Sequence, residues 1–282
     1  MAISTQIKNI LNAGLQSVGV KIETLTADNI EADRIRRQIK LGQFDKPAFP
    51  LLEGMTTFTG KPLAATYAAC RTQVDRMMKG APPGNFDRSN TFFQTPDAEI
   101  LYLMVRTLEP KHIVEIGSGN STRIIRQAIV DGNLSVRHIA IDPCPRADIT
   151  GLTDHLMRQR FEETDVTNEL RILGANDILF FDSSHLVHVA NDVAKLFCNV
   201  IPALAPGVAV HVHDVFLPFD YPEPFCTDYS GWGEQYLLQV MLAARPREIL
   251  WPGYYVQKLR TELRDELPFL SDGRAQSFWF RT

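Results

Sequence analysis

The chain has 282 residues, 45% of them hydrophobic and 22% charged, with a formal net charge of −4. That length allows one large domain, or one domain with an extension. The mildly acidic balance, with no Lys/Arg-rich run, excludes nucleic acid as a general partner, and no apolar segment approaches the length needed to cross a bilayer.

In chain order, residues 3–18 set Ile7, Ile10, Leu11, Leu15 and Val18 on one helical face. This is the pattern of a helix that docks on its own domain or on a second copy. Ala27–Lys40 is a charged helical stretch, and 43–60 is an irregular connection with Pro47 and Pro50. A helix is expected over Pro62–Lys79, ended by the breaker Gly80–Asn85. The division expected is therefore an N-terminal helical extension, 1–85, and a catalytic domain, 86–282. Next comes a helix from Pro96 to Leu108. Strands are then expected at 112–116, 136–141, 161–164, 177–181 and 208–212, with later ones at 247–250 and 277–280. Helices are expected at about 186–200 and 237–244. Alternating strands and helices predict an α/β fold, a doubly wound and largely parallel sheet covered on both faces. Cys70, Cys144, Cys198 and Cys226 show no CxxC spacing, and the N-terminus lacks the basic, continuously apolar start of a secretory leader. Reduced thiols in a cytoplasmic protein are the expectation.

The stretch IVEIGSGNST, 113–122, carries the most information. An apolar strand runs into a turn in which Gly117 and Gly119 let the backbone approach a ligand. A helical pattern follows, as in the first βα turn of a nucleotide-binding sheet. Thr122 stands where a dinucleotide motif has its third glycine. Glu115, two residues before Gly117, would repel a pyrophosphate but suits a ligand with an ammonium and a sulfonium. Both features point to S-adenosylmethionine (SAM) over a dinucleotide.

Ligands of such sheets bind at the carboxyl ends of the strands. Glu115, Asp142, Asp182 and Asp214 all fall at or beside such ends. Asp142 lies 25 residues after Gly117, near the spacing of about 20 expected for a ribose-binding acid. His185 and His213 are candidates to take a proton from an acceptor hydroxyl. Asp182, His213 and Asp214 make a candidate divalent-metal set, with Mg²⁺ or Mn²⁺ in view. The aromatic segment Phe216–Trp232, with Phe219, Tyr221, Phe225 and Tyr229, is expected to form an apolar lid over an acceptor.

With VEIGSGNST (114–122), AIDPCP (140–145), LFFDSSH (179–185), PALAPGVAVHVHDVFLPFDYP (202–222) and WGEQYLL (232–238), the chain resembles the class I SAM-dependent methyltransferases. It is most similar to bacterial small-molecule O-methyltransferases of secondary metabolism, the macrolide, sugar and cephalosporin-hydroxylase-like group. The resemblance implies a Rossmann-like seven-stranded sheet of order 3-2-1-4-5-7-6. It implies that Glu115 lies near the methionine end of SAM, that Gly117, Ser118 and Gly119 pass under it, and that Asp142 holds ribose. Asp165 and Val166 would flank adenine, with Asp182 also bordering the cofactor. The function implied is O-methylation of a small hydroxylated metabolite by in-line displacement. A metal-dependent oxygenase on the same fold and a non-catalytic SAM-binding module remain open as alternatives. The partners expected are a small-molecule acceptor and, through the N-terminal helices, a second copy of the chain.

Overall fold

Seven strands form the sheet: β1 (His112–Ile116), β2 (Arg137–Ile141), β3 (His155–Met157), β4 (Ile178–Phe181), β5 (Ala209–Val212), β6 (Glu248–Pro252) and β7 (Phe278–Arg281). Their order is β3-β2-β1-β4-β5-β7-β6. β1 to β5 run parallel, and β7 is antiparallel to both of its neighbours. The structure, a computed structural model, describes residues 5–22, 25–226 and 231–282. No helix among the described residues is long and apolar enough to cross a membrane.

The register places the site. Ile116 pairs with Ile141 on one side and Phe181 on the other, and Phe181 pairs with Val212. The strands therefore end level, and Gly117, Asp142, Asp182 and His213 leave the sheet in one row. That row straddles β1, where the strand order reverses and a crevice must open. β4 and β5 are buried throughout, as apolar runs covered on both faces should be.

The strand after Asp142 is not 161–164 but His155–Met157, a half-buried edge strand paired with Ile139–Ile141. Phe161–Glu163 is a single 3₁₀ turn in which Phe161 alone is buried, set edge-on against Phe181. One anchoring aromatic imitated a strand, while a three-residue edge strand offered no apolar alternation to read. The helix expected from 186 begins only at Asp192, where the Asn191 side chain accepts from the Ala194 N–H, and passes through a π turn at Leu196–Val200. Residues 185–191 stay irregular, with left-handed backbone at His185 and Ala190.

The described chain divides into two compact units, 47–220 with 232–282, and 1–46 with 221–231. The helix Lys61–Met78, expected in the extension, belongs to the first unit. Leu63, Tyr67, Val74 and Met77 are buried in it, and Tyr67 packs edge-on against Phe269. The division thus falls near residue 46 rather than 85. In the second unit, Thr5–Leu15 and Thr26–Lys40 are helical as expected, and Ile10 and Val18 are exposed.

The helix Asp97–Leu108 opens with two buried acids. Asp97 accepts the N–H groups of Gln276 and Ser277 at 2.8 and 3.1 Å, tying the helix to the start of β7. Glu99 accepts from the Thr95 hydroxyl at 2.5 Å, and burial pushes its carboxyl up to about 7. A raised carboxyl favours the folded state only while protonated, so stability falls as pH rises from the unfolded value through about 7. Glu99→Gln should therefore stabilise the protein at pH 8 by up to about 3 kcal/mol and far less at pH 5. Urea denaturation at the two pH values measures this, and an equal effect at both would contradict it.

Candidate active site

The turn after β1 is built for close approach. Gly117 has φ +79°, and a Cβ there would collide with the backbone carbonyl oxygen of Asp182 and stand 2.8 Å from its carbon. The Ser118 N–H and hydroxyl donate to Asp142 Oδ2 at 2.6 and 3.0 Å, and the Cys144 N–H donates to Oδ1 at 2.7 Å. Asp142 is thereby fixed across the mouth of a cleft of about 450 Å³. Its walls include Phe92, Gly117, Asp142, Arg146, Phe161 and Asp182. Arg146 lies over the Phe92 ring at 4.4 Å, joining two loops at the rim.

Glu115 does not line this cleft. It is fully buried, and its oxygens accept from Ser121 (2.6 Å) and Thr122 (2.8 Å) and pair with His138 Nε2 (2.9 Å). Thr122 Oγ1 in turn accepts the Gly119 N–H at 3.0 Å. The expectation that Glu115 faces the ligand is corrected: it braces the turn from beneath. Strand alternation sends it into the protein, where two hydroxyls and an imidazole satisfy it.

At the ends of β4 and β5 a second group converges. Asp182 carries its side chain at 23% exposure beside His185 and His213, which are buried. His185 Nε2 lies 3.3 Å from Asp182 Oδ1 and 3.2 Å from Asp214 Oδ2, and its Nδ1 pairs with Glu234. His213 Nδ1 lies 3.6 Å from both aspartates, and Nε2 faces Asp97 at 3.4 Å. Burial opposes charge on both rings, but Glu234 and Asp214 around His185, and Asp182 and Asp214 around His213, hold both well above the ordinary imidazole range. Burial would raise Asp182, yet His213 and His185 draw its carboxyl well below the usual value. His211, two residues earlier in β5, is held well below the ordinary imidazole range by burial and by His213. It stacks on Phe180 at 4.1 Å and bonds Ser277 at 3.0 Å.

Asp182, His185 and Asp214 bring one ligand atom each within 4.8 Å of one another. The metal set expected from sequence had His213 in the place of His185. The structure adds His185 beside the aspartates because the irregular loop after β4 turns it back over the strand ends, while His213 keeps Nδ1 3.6 Å from both and turns Nε2 towards Asp97.

Residues 114–215 match the family model described as a methyltransferase domain. The match runs from within β1 to just past β5, the part of the sheet that borders the cleft. Among solved structures it is similar to an O-methyltransferase from Bacillus cereus in complex with S-adenosylhomocysteine (SAH). That likeness has 15% identity and a TM-score of 0.41, over 80% of this chain and 98% of that one. It is also similar to the O-methyltransferase TomG of Streptomyces achromogenes, involved in tomaymycin synthesis, in complex with SAM. There the identity is 14% and the TM-score 0.34, over 99% of this chain and 98% of that one. No curated protein matches the sequence.

Two further expectations move. Asp165 is exposed and caps the helix Thr167–Arg171 by accepting the Thr167 N–H at 3.0 Å, and Val166 is buried. Neither lines the cleft; Arg160, Phe161 and Glu162 do so instead. The shift follows from β3 lying earlier than expected. In the aromatic segment, Phe216 and Phe219 are buried edge-on against Tyr254 and form no lid. Tyr229 lies outside the described residues, and Trp232 stacks on His185.

Sequence reasoning missed Glu234 and Asp97, which stand behind the two histidines. Both are helix-opening acids, a position usually explained by the helix dipole alone.

The fixed carboxylate of Asp142 lines the cleft, and the sequence expects it to accept from ribose. Asp142→Ala should weaken SAH binding by about 1–3 kcal/mol, the cost of one charge-assisted partner. Calorimetry on the folded variant checks this, and unaltered affinity places Asp142 outside the site.

Proposed function

We propose that the domain methylates a hydroxyl group of a small molecule in a cytoplasmic setting, with the acceptor bound over Asp182. One observation carries this reading: Asp182 belongs to both halves of the site. Its backbone closes against Gly117 in the cofactor cleft, and its carboxylate belongs to the group with His185 and Asp214. SAM supplies the methyl group as an electrophilic sulfonium. The chain's part is to position the acceptor oxygen beside that cleft and exclude water.

Two carboxylates and an imidazole fit a divalent cation, and the imidazole favours Mn²⁺ over Mg²⁺. Such an ion would lower the pKa of an acceptor hydroxyl. Geometry favours this over a free histidine base. Both nitrogens of His185 and of His213 already face carboxylates, so neither ring turns a lone pair to the cleft. The set is also the inverse of the two-histidine, one-carboxylate triad of non-haem iron oxygenases. The partners are the small-molecule acceptor and, through the exposed apolar side chains of Thr5–Leu15, a second copy of the chain; nucleic acid and membrane are not among them.

The test uses methyl-labelled SAM, Mn²⁺ and a panel of phenols, sugars and hydroxylated polyketides. Labelled ethers and released SAH are expected, with SAH binding by calorimetry and NAD not binding. Tighter binding of NAD than of SAH, or label confined to nitrogen-linked products, would overturn the reading.

A further inference from the structure

The segment Trp232-Gly233-Glu234-Gln235 opens the helix Glu234–Ala244 and lines no part of the cofactor cleft. It nevertheless holds both acid-bearing loops. The Trp232 ring stacks on His185 with centroids 4.8 Å apart and planes at 19°. The Gly233 N–H donates to the His185 carbonyl at 3.2 Å, and Leu186 and Trp232 form an isolated β-bridge. Glu234 takes His185 Nδ1. Gln235 Oε1 accepts the N–H of Phe216, two residues beyond Asp214, at 2.9 Å.

His185 and Asp214 both sit in left-handed backbone, at φ +62° and +55°. For residues with a side chain this costs about 1–3 kcal/mol each and persists only where the surroundings over-determine it. The segment supplies that determination from one side. Glu234 is fully buried, and its second carboxylate oxygen has no hydrogen-bond partner. An unpaired buried oxygen works against stability, so the contact made by the other oxygen is the reason for the carboxylate's place.

We propose that Trp232–Gln235 is a positioning brace for the acid–histidine group. Glu234 holds Nδ1 and Trp232 holds the ring plane, so that His185 Nε2 faces Asp182 and Asp214. Gln235 fixes the loop that carries Asp214. None of these residues touches the reacting atoms. The inference rests on reading Asp182, His185 and Asp214 as the working group. It adds that the orientation of His185 is imposed from a helix that begins 49 residues later.

The experiment records the imidazole nitrogen resonances of ¹⁵N-labelled protein, with His185 assigned by its loss in His185→Gln. It is paired with Mn²⁺ and SAH binding by calorimetry. In Glu234→Leu the His185 nitrogen signals should shift and Mn²⁺ affinity should fall about tenfold or more, as for other outer partners of metal ligands. SAH affinity should hold. Glu234→Gln, whose carbonyl still accepts from Nδ1–H, should retain the His185 signals and restore Mn²⁺ affinity to within about threefold. Unaltered His185 signals and Mn²⁺ affinity in folded Glu234→Leu overturn the brace. So does equal loss in both variants accompanied by loss of SAH binding, which marks general damage. If Glu234→Leu does not fold, Trp232→Leu carries the same test, with shifted His185 signals expected and unshifted ones overturning it. If the unmodified protein takes no Mn²⁺, the metal reading falls and the His185 signals alone decide the brace.

Discussion

Gly117→Ala should reduce SAH affinity by at least about a hundredfold, which is about 3 kcal/mol. Two costs add. Left-handed backbone costs a residue with a Cβ about 1–2 kcal/mol, and here φ is +79°. The new methyl also meets the Asp182 carbonyl oxygen, which cannot swing away. The Asp182 N–H donates to Ile116 at 2.9 Å and the Gly117 N–H donates to Ile141 at 3.1 Å, so the two chains are pinned on both sides of the contact. Relief requires β1 and β4 to part at their carboxyl ends, where the cleft begins. Gly151→Ala is the comparison: φ there is +74° but nothing lies within 4 Å of the added carbon. It should show only the backbone cost, with SAH binding intact. Calorimetry and thermal denaturation of both variants separate crowding from strain, and wild-type SAH affinity in Gly117→Ala would refute the close approach of the two loops.

The second large effect concerns the acid–histidine group. EDTA should abolish methyl transfer, and Mn²⁺ should restore it more effectively than Mg²⁺. Asp182→Asn, Asp214→Asn and His185→Ala should each weaken Mn²⁺ binding by more than the roughly 10–100-fold that loss of an outer partner costs, since each removes a ligand. Asp214 does not line the cofactor cleft, so Asp214→Asn should leave SAH affinity unchanged. His213→Ala should weaken Mn²⁺ less than His185→Ala, because its ring is turned towards Asp97. The opposite ranking of the two histidines would restore His213 to the metal set. Full methyl transfer in EDTA would leave the acceptor to be activated without a metal, by the chain's own groups.

The strand ends could be read in the sequence with little error. Strands β1, β4 and β5 are mainly apolar and buried on every residue but His112, and Gly117, Asp182 and His213 follow them at the level where the sheet stops. Asp142 and Asp182 were legible for the same reason. The strand β3 was not, because one exposed and two half-buried edge residues carry no alternation. Asp165 and Val166 were misplaced as a direct result, since the loop that borders the cleft begins at Arg160.

The sequence by itself determined which residues stand at the mouth of the site. Its glycine turn, its apolar runs and the acids that end them are local patterns, and hydrogen-bond register then forces them into one row. Only the tertiary structure decided where those side chains turn and what stands behind them. Glu115 went beneath the turn because Ser121, Thr122 and His138 satisfy it there. His185 came to lie beside the aspartates, closer than His213, because an irregular loop folds back under Trp232 and Glu234. Asp97 came to back His213 across the chain, held by Gln276 and Ser277 some 180 residues away. Such partners share no period with the residues they orient. Their meeting depends on the paths of loops between strand ends, and those paths follow from packing the whole sheet and its helices, with no local preference to record them.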